Sequence, residues 1–190
     1  MTPLSLFPTD VYVETINIIP LDDIILKMSV TEPSRKVTNM GGWQSNDVLH
    51  EHKAFSKLVD AVVISFAFIG KNYYSGTNWG ISNMWANVNR YKDYNKAHIH
   101  TGTQWSFVYY VKVPDDSGNL VFVDPRIRRI SSAHEGVNES YDNPFTHDLY
   151  MVTPLPGTLV FFPSYLEHYV EGNSNDIPRI SISGNIKVGV

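Results

Sequence analysis

The stretch that decides the fold is Asn95–Pro114, NKAHIHTGTQWSFVYYVKVP, in which two histidines one residue apart precede a run of aromatic and β-branched residues. Such a run predicts a β-strand, because these residue types pack well on a pleated sheet. Side chains two residues apart on a strand point to the same side, so His98 and His100 can reach one ion from one face of a sheet. The pair needs a third ligand, however, and alone it is more often a surface or hydrogen-bonded structural pair than a metal site.

Period-two patterns continue on both sides of this stretch and are separated by Gly, Pro, Asn and Asp turns. The segments are, in chain order, GISNMWANVNRY, QWSFVYYVKVP, GNLVFVDP, HDLYMVTP, GTLVFFPSY, EHYVEGN and RISISGNIKV. Nothing helical lies between them, which excludes alternating strand–helix units and therefore a doubly wound nucleotide-binding fold. Strands in such a succession predict a β-sandwich or an open jelly-roll barrel.

The first part of the chain contributes one strand and two helices to the prediction. Ser5–Ile18 alternates as a strand does, and Leu21–Val30 has the apolar spacing of a short amphipathic helix. A longer helix is predicted over His52–Ile69, with Gly70 ending it. The expected fold class is therefore α+β and mainly β, a jelly roll with the N-terminal helices packed on the outside.

Composition narrows the chemistry that the chain can perform. With 190 residues, 43% of them hydrophobic, the chain suits one domain over residues 1–190. A net charge of −4 without a Lys/Arg cluster disfavours nucleic acids and membranes as partners and favours a small or polar substrate. Because cysteine is absent, any metal must bind His, Asp or Glu. The sequence shows no secretory signal, which predicts a soluble, cytoplasmic protein. The oligomeric state cannot be read from the sequence, although an aromatic-rich surface is compatible with a homodimer.

Two features nearer the C-terminus supply what the histidine pair lacks. His168 follows a predicted buried strand and a Pro-Ser turn, where it suits a third metal ligand, although a half-buried rim histidine fits the sequence as well. In RISISGN, alternation places Arg179 and Ser181 on one face of a strand and the isoleucines on the other. If the isoleucines face the hydrophobic layer, the guanidinium is buried and needs an anion. That anion is a carboxylate of a ligand or of a structural acid such as Asp124 or Asp176; alternatively, the arginine lies exposed at a sheet edge.

Taken together, these motifs resemble a known family. The order HxH, distal His and then Arg within RIS is similar to that of non-haem iron(II), 2-oxoglutarate-dependent oxygenases, which use two histidines and one carboxylate. More closely, the chain resembles the 2-oxoglutarate/iron(II) oxygenase family found in bacteria and bacteriophages. The segments that carry this resemblance are LFPTDVY, GGWQSND, WANVNRYKDYNKAHIH, SFVYYVKVP, LVFVDPR, FFPSYLEHYVEGN and RISISGN. They span nearly the whole chain, and the resemblance implies a double-stranded β-helix with the metal at its open end.

The resemblance implies that His98 is the first metal ligand and His168 the distal one. His100 stands where most of the superfamily has aspartate, so the site departs from the usual pattern. Either three neutral imidazoles bind the metal, which we favour, or His100 stands beside the metal and water or an acid such as Asp124 completes the set. Without a carboxylate the metal keeps a larger net positive charge.

The resemblance also implies a binding site for 2-oxoglutarate. Arg179 and Ser181 match the residues that bind its distal carboxylate. Tyr110 lies where related prolyl-hydroxylase-like enzymes place a tyrosine on the same carboxylate, and alternation puts it on the opposite side from its neighbour Tyr109. Asn87 and Asn89 share one strand face and can reach the other end of the co-substrate.

The function implied is a non-haem iron(II), 2-oxoglutarate-dependent dioxygenase that hydroxylates an unidentified substrate and releases succinate and CO₂. The substrate is a small molecule or a protein side chain, with nucleic acid the least favoured class. One alternative is a cupin-like metalloprotein that does not use 2-oxoglutarate, since Gln104 follows HxH where cupins carry glutamate. Another is a metal-free jelly-roll binding module in which the histidines are incidental.

Beyond the predicted ligands, one loop and several aromatic side chains are candidates for a substrate pocket. The irregular segment Pro125–Asp148 is long enough to serve as a substrate lid. Its two histidines, His134 and His147, are interpreted as plain surface residues. Three aromatic residues are candidates for shaping the pocket, although core positions suit each of them better: Trp85, Trp105 and Phe162.

Overall fold

The structure, a computed structural model, describes residues 7–17, 19–126 and 148–189. Its helices are α1 (Asp22–Thr31) and α2 (Ser56–Tyr73), the second preceded by two 3₁₀ turns (Leu49–Glu51 and Lys53–Phe55). Its strands are β1 (Tyr12–Thr15), β2 (Asn39–Met40), β3 (Trp43–Gln44), β4 (Trp79–Asn89), β5 (Tyr94–His98), β6 (Trp105–Lys112), β7 (Leu120–Val123), β8 (Leu149–Val152), β9 (Thr158–Pro163), β10 (His168–Val170) and β11 (Arg179–Val188).

These strands form two antiparallel sheets. The six-stranded sheet has the order β1-β9-β6-β11-β4-β3, and the five-stranded sheet has the order β2-β5-β10-β7-β8. A shared apolar layer joins the two sheets, with residues from β6 and β9 on one side and from β7 and β8 on the other. The architecture is the double-stranded β-helix, or jelly roll, that the sequence predicts.

The outer face of the six-stranded sheet is covered by α1 and α2, as predicted. Apolar side chains of the α2 region lie against the isoleucines of β11 in one core, and burying a side chain of this size stabilises the fold by about 1.5–3 kcal/mol. The fully buried members of this contact, each at most 2% exposed, are Phe55, Leu58, Val62, Phe66, Ile69, Ile180, Ile182 and Ile186.

The predicted end of α2 at Gly70 is wrong, since the helix continues to Tyr73. Gly70 is required for space instead, because a Cβ at this position would lie 2.6 Å from Nε1 of Trp79.

Within residues 7–17, 19–126 and 148–189, no helix combines the length and apolar character that a membrane crossing requires.

The hairpin formed by β2 and β3 links the two sheets at one edge. β2 pairs with β5 in the five-stranded sheet, whereas β3 pairs with β4 in the six-stranded sheet. Gly41 allows this turn, because it has a φ of +80° and a Cβ there would lie 1.8 Å from Oδ1 of Asp93. The sequence prediction missed this hairpin and β5, and it made the first strand too long, since only Tyr12–Thr15 is a strand within the described residues.

Candidate active site

A cavity of about 240 Å³ opens between the two sheets. Its wall on the six-stranded sheet is formed by side chains that alternate with the buried core residues and point away from the helices. These side chains belong to β4 and β11 and are Asn83, Trp85, Asn87, Asn89, Ser181, Ser183 and Asn185. The facing sheet contributes His98 of β5 and His168 of β10.

The three predicted metal ligands meet in this cavity. His98 and His168 are direct cross-strand partners, and their ring centroids lie 4.3 Å apart. His100 lies beyond the end of β5, with its ring centroid 5.1 Å from each of the other two. Ligating atoms of the three rings lie within 4.8 Å of one another, and in the described part of the chain this is the one cluster of three or more such groups able to hold a metal.

Hydrogen bonds orient the rings of His98 and His168. Nδ1 of His98 donates to the carbonyl oxygen of Lys96 at 2.7 Å, and Nδ1 of His168 donates to that of Leu166 at 2.9 Å. A carbonyl oxygen can only accept, so the proton of each neutral ring resides on Nδ1. Nε2 of both rings therefore keeps its lone pair for a metal, an arrangement common around metal-binding histidines.

His100 is held in the same way by a side chain. Its Nδ1 lies 2.5 Å from Oδ1 of Asn185, which also accepts from the hydroxyl of Ser106 at 2.8 Å. The amide nitrogen of Asn185 donates to Oδ1 of Asn83 at 2.9 Å, which fixes the orientation of the Asn185 amide. Ser106 and Asn185 are buried, so this network provides a rigid support for the third ring.

Burial keeps the three histidines neutral. Desolvation lowers the pKa of His98, lowers that of His100 to about 4 and lowers that of His168 to about 3. The neighbouring rings add to this effect for His168, since two imidazolium ions at this distance would repel each other. The neutral imidazole is the form that binds a metal, and it is the form present at neutral pH.

Arg179 is buried at 1% exposure, as expected from Ile180 and Ile182 facing the hydrophobic layer on the other side of β11. Its guanidinium donates to three main-chain carbonyls: that of Ser117, and those of Gly118 and Glu171 at 3.3 Å. Among the described residues no carboxylate lies within 4.0 Å of it. The Glu171 carboxylate binds Asn119 instead. Burial lowers the pKa of Arg179, while Tyr110 and the charges of Glu171 and Asp93 act in the opposite direction. Acids are therefore near enough to interact with this buried cation, although none in the described chain forms an ion pair with it.

The remaining predicted co-substrate residues line the cavity, whereas Arg179 itself is not among the lining residues. Ser181 pairs with Asn87 of β4 and with Tyr110 of β6, and all three line the cavity. Burial raises the pKa of Tyr110 to about 12, so its hydroxyl remains a donor beside the positive charge of Arg179. Asn89 also lines the cavity and is buried. The amide nitrogen of Asn87 donates to the hydroxyl of Ser183 at 3.4 Å, whereas its buried Oδ1 has no hydrogen-bond partner and is available as an acceptor.

Asp124, the alternative metal ligand, lies outside the histidine cluster. Its carboxylate accepts from Nη2 of Arg126 at 2.9 Å and from the main-chain nitrogen of the same residue at 2.7 Å. The guanidinium lowers the pKa of this carboxyl against an opposing effect of burial. Asp124 therefore forms a local ion pair, and the three imidazoles remain the candidate ligand set.

The aromatic residues named from the sequence divide between pocket and core. Trp85 and Phe162 line the cavity, and the ring of Trp85 lies 5.7 Å from that of His100. Trp105 is a core residue that donates to the hydroxyl of Tyr74. Most of the proposed lid, including His134 and His147, lies outside the described residues.

Three residues of the site were not predicted from the sequence. Asn185 supports His100, and an ion pair between Arg35 and Asp47, 2.7 Å apart, lines the cavity. Asn185 follows RISIS with the same alternation, so the period-two pattern could have placed it on the cavity face. Nothing in the local sequence indicates the Arg35–Asp47 pair, because it depends on the hairpin that joins the sheets.

Comparison with known proteins agrees with this geometry. A family model described as "Putative 2OG-Fe(II) oxygenase" matches residues 83–185, more than half of the chain, including all three histidines and Arg179. The chain therefore belongs to the 2-oxoglutarate/iron(II)-dependent oxygenase family, whose cofactor is iron(II) and whose co-substrate is 2-oxoglutarate. No curated protein matches the sequence.

Solved structures of this class share the fold. A prolyl-4-hydroxylase from Pseudomonas putida is 16% identical, with a TM-score of 0.65 over 94% of this chain and 92% of that one. HygX from Streptomyces hygroscopicus, with nickel and 2-oxoglutarate bound, is 11% identical, with a TM-score of 0.62 over 94% of this chain and 83% of that one. A prolyl hydroxylase from Trichoplax adhaerens, in complex with a hypoxia inducible factor peptide, is 12% identical, with a TM-score of 0.63 over 93% of this chain and 83% of that one.

Proposed function

We propose that this protein binds iron(II) through His98, His100 and His168 and uses 2-oxoglutarate to hydroxylate a substrate that enters between the two sheets. The observation that carries this proposal is a cavity lined by a cluster of three neutral imidazoles, together with a buried arginine that lies next to the lining residue Asn89 and forms no ion pair with a described carboxylate. When bound, iron(II) and 2-oxoglutarate supply the oxidising chemistry: O₂ hydroxylates a C–H bond while 2-oxoglutarate is converted to succinate and CO₂.

The histidines perform two tasks in this proposal. Their Nε2 lone pairs hold the metal, and the acceptors on Nδ1 prevent the rings from rotating or changing tautomer. All three donors are uncharged imidazole nitrogen atoms, and iron(II) commonly binds such nitrogen atoms.

The co-substrate fits the part of the cavity beside Arg179. A carboxylate there would neutralise the guanidinium and accept from the hydroxyls of Tyr110 and Ser181. Asn87 and Asn89 offer amide groups along the adjacent strand, within the same lining. The protein then contributes position and charge, which align the co-substrate with the metal before the substrate arrives.

The substrate that this cavity supports is a small molecule or a single side chain of a protein. The cavity of about 240 Å³ must also hold 2-oxoglutarate, so only a small group of the substrate can reach the metal. Trp85 and Phe162 provide apolar walls for that group. Nucleic acid is disfavoured by the net charge of −4.

This proposal is tested by measuring succinate formation from 2-oxoglutarate by the purified protein under air. Slow succinate formation without added substrate is expected, and it should require both iron(II) and an intact Arg179. Candidate substrates are then identified by their stimulation of this background rate. A protein that binds neither manganese(II) nor 2-oxoglutarate in calorimetry would contradict the proposal.

A further inference from the structure

The hairpin that joins the two sheets, with its flanking residues, contributes a wall of its own to the cavity. All the side chains of this wall lie outside the segment 83–185 that the oxygenase family model matches, whereas the candidate ligands of the metal and the co-substrate lie inside it. They are Arg35, Val37, Thr38, Gln44 and Asp47. This wall is therefore separate from the residues that the family shares, which favours a role in recognising the substrate.

An ion pair between Arg35 and Asp47 provides the charge of this wall. Nη1 of Arg35 and Oδ2 of Asp47 lie 2.7 Å apart, and the two side chains are 44% and 39% exposed. Among the described residues of the lining, no other arginine, lysine, aspartate or glutamate is present. Because an ion pair this exposed contributes little to stability, stability does not account for its place in the cavity.

Both charged groups keep hydrogen-bonding capacity for a ligand. Within the described chain, no hydrogen bond occupies Nε or Nη2 of Arg35, or Oδ1 of Asp47. The hydrogen bond from Arg35 holds the pKa of the Asp47 carboxyl below its ordinary value, so Asp47 is charged at neutral pH. A fixed guanidinium and a fixed carboxylate can thus bind one anionic and one cationic group side by side.

The ion pair lies towards the metal end of the cavity. The carbonyl oxygen of Asp47 accepts from the main chain of β4 at 2.8 Å, one residue after Asn83. Oδ1 of Asn83 accepts from Asn185, which supports His100. Trp85 follows Asn83 on the same face of β4, and its ring lies 5.7 Å from that of His100. A ligand held by the ion pair therefore has an apolar wall between it and the histidines.

We propose that the substrate is a small zwitterion of the α-amino acid class, bound with its carboxylate on Arg35 and its ammonium group on Asp47. This inference rests on the proposed function and names the substrate class of the same site. The two charged groups of an α-amino acid are attached to one carbon atom, so they can bind both members of the ion pair at once. The amino acid side chain then extends along Trp85 and Phe162 towards the metal. Hydroxylation converts one of its C–H bonds to C–OH, and the second oxygen atom of O₂ enters succinate.

Charge and size favour this occupant over other ligands. A residue within a peptide chain has neither a free α-carboxylate nor a free α-ammonium group and would leave the ion pair without a ligand. A simple anion would be repelled by Asp47, and a simple cation by Arg35. A cavity of about 240 Å³ that must also hold 2-oxoglutarate favours a molecule of amino acid size over a larger one.

The test begins with the common L-amino acids of proteins, added singly to the protein with iron(II) and 2-oxoglutarate under air. At least one is expected to raise succinate formation above the background rate. The most effective one is then compared in calorimetry, on protein loaded with manganese(II) and 2-oxoglutarate, with its N-acetyl derivative, its amide and its N-acetyl amide. Each blocked form loses a hydrogen bond to a charged group and should bind at least about 10-fold more weakly than the free amino acid.

Two variants assign the two charges. Arg35→Gln should bind the free amino acid at least about 10-fold more weakly without weakening the binding of its amide, which lacks the carboxylate. Asp47→Asn should weaken the binding of the free amino acid but not that of the N-acetyl derivative, which lacks the ammonium group. Arg126→Gln and Asp124→Asn are the matched controls, because they break an ion pair of 2.9 Å outside the cavity lining and should change none of these affinities.

Each outcome bears on a different claim. Succinate formation that requires iron(II), together with no binding of any of these amino acids, overturns this inference and leaves the proposed function intact. Equal binding of the free amino acid and its N-acetyl amide also overturns it and indicates a residue within a peptide. Weaker binding of 2-oxoglutarate by a folded Arg35→Gln protein overturns it by assigning Arg35 to the co-substrate. Absence of any binding of manganese(II) and 2-oxoglutarate overturns the proposed function itself.

Discussion

His98 and His168 are direct cross-strand partners on β5 and β10, and their ring centroids lie 4.3 Å apart. The register of one strand pair therefore fixes the separation of two candidate metal ligands. Because side chains alternate between faces, a slip by one residue would turn one histidine away from the cavity. His168 also pairs with Phe122 of β7 on its other side, so β10 is held between two strands.

Replacement of His168 by alanine is expected to abolish metal binding. The variant removes one of three nitrogen donors, and the two that remain cannot enclose an ion. We expect calorimetry to show a fall of at least about 100-fold in the affinity for manganese(II) in the presence of 2-oxoglutarate. Loss of a residue that only supports a metal ligand typically costs about 10- to 100-fold in metal affinity, so loss of a ligand should cost at least as much. His52→Ala is the matched control, because His52 lies outside the cavity and caps a 3₁₀ turn. Unchanged affinity in His168→Ala would exclude this residue as a ligand.

Replacement of Arg179 by glutamine is expected to weaken 2-oxoglutarate binding. Loss of a buried charged partner costs about 2–5 kcal/mol, which corresponds to an increase of roughly 30-fold to several thousand-fold in the dissociation constant. Manganese(II) binding without 2-oxoglutarate should not weaken, since Arg179 donates to main-chain carbonyls and to none of the histidines. Arg126→Gln serves as the control, because Arg126 is exposed and pairs with Asp124. A uniform loss of both affinities would indicate misfolding rather than the loss of a binding residue.

Asp124→Asn is expected to leave metal binding unchanged. The native carboxylate is engaged by Arg126 and lies outside the histidine cluster, so its charge does not contribute to the ligand set. Manganese(II) titrations of the native protein and of the variant should give dissociation constants within about 2-fold of each other. A loss of 10-fold or more would show that a carboxylate completes the site and that His100 only stands beside it.

Alternation along single strands explains why much of the site was predictable. Ile180 and Ile182 lie in the apolar core and Ser181 lines the cavity, as alternation along β11 predicts. Arg179 is buried outside that lining, against main-chain carbonyls. The same rule separates Tyr110, in the cavity, from Tyr109, in the core beneath the helices. Wherever a strand has one apolar face, the identity of its neighbours decides which side a polar residue takes.

Features that depend on contacts distant in the sequence were not predictable in this way. β5 carries few apolar residues and is a strand because β2 and β10 pair with it on either side. Gly70 carried a local signal for a helix end, but packing against Trp79 determined its role. The support of His100 by Asn185 joins positions 85 residues apart, and only the pairing of β11 with β4 and β6 brings them together.

The metal-free protein is expected to lose stability as the pH falls from about 6.5 towards 4. Burial holds the pKa of His100 at about 4 and that of His168 at about 3, whereas both titrate near 6.5 in the unfolded chain. Between these values the unfolded chain binds more protons, so the free energy of unfolding decreases with falling pH. At pH 5 the loss is roughly 2 kcal/mol from each of these two histidines.

Urea unfolding of the metal-free protein between pH 5 and pH 8 measures this dependence. The double variant His100→Asn/His168→Asn lacks the two groups and should show a flatter profile over the same range. Above pH 7 both proteins should show little change attributable to these residues, since the histidines are neutral in both states. Parallel profiles for the native protein and the double variant would contradict the assignment.

Gly184→Ala is expected to destabilise the fold and weaken metal binding together. A Cβ on Gly184 would lie 2.5 Å from Cζ of Phe107 and 2.7 Å from the carbonyl oxygen of Asn83, so β11 must shift. Overpacking of this kind costs about 1–3 kcal/mol. The next residue is Asn185, so the shift also disturbs the acceptor of His100. Gly172→Ala is the control, since the nearest atom to its added Cβ is 3.8 Å away. Thermal unfolding and manganese(II) titration of both variants separate the two effects: a destabilised Gly184→Ala protein with native metal affinity would show that the position of Asn185 does not govern the ligand set.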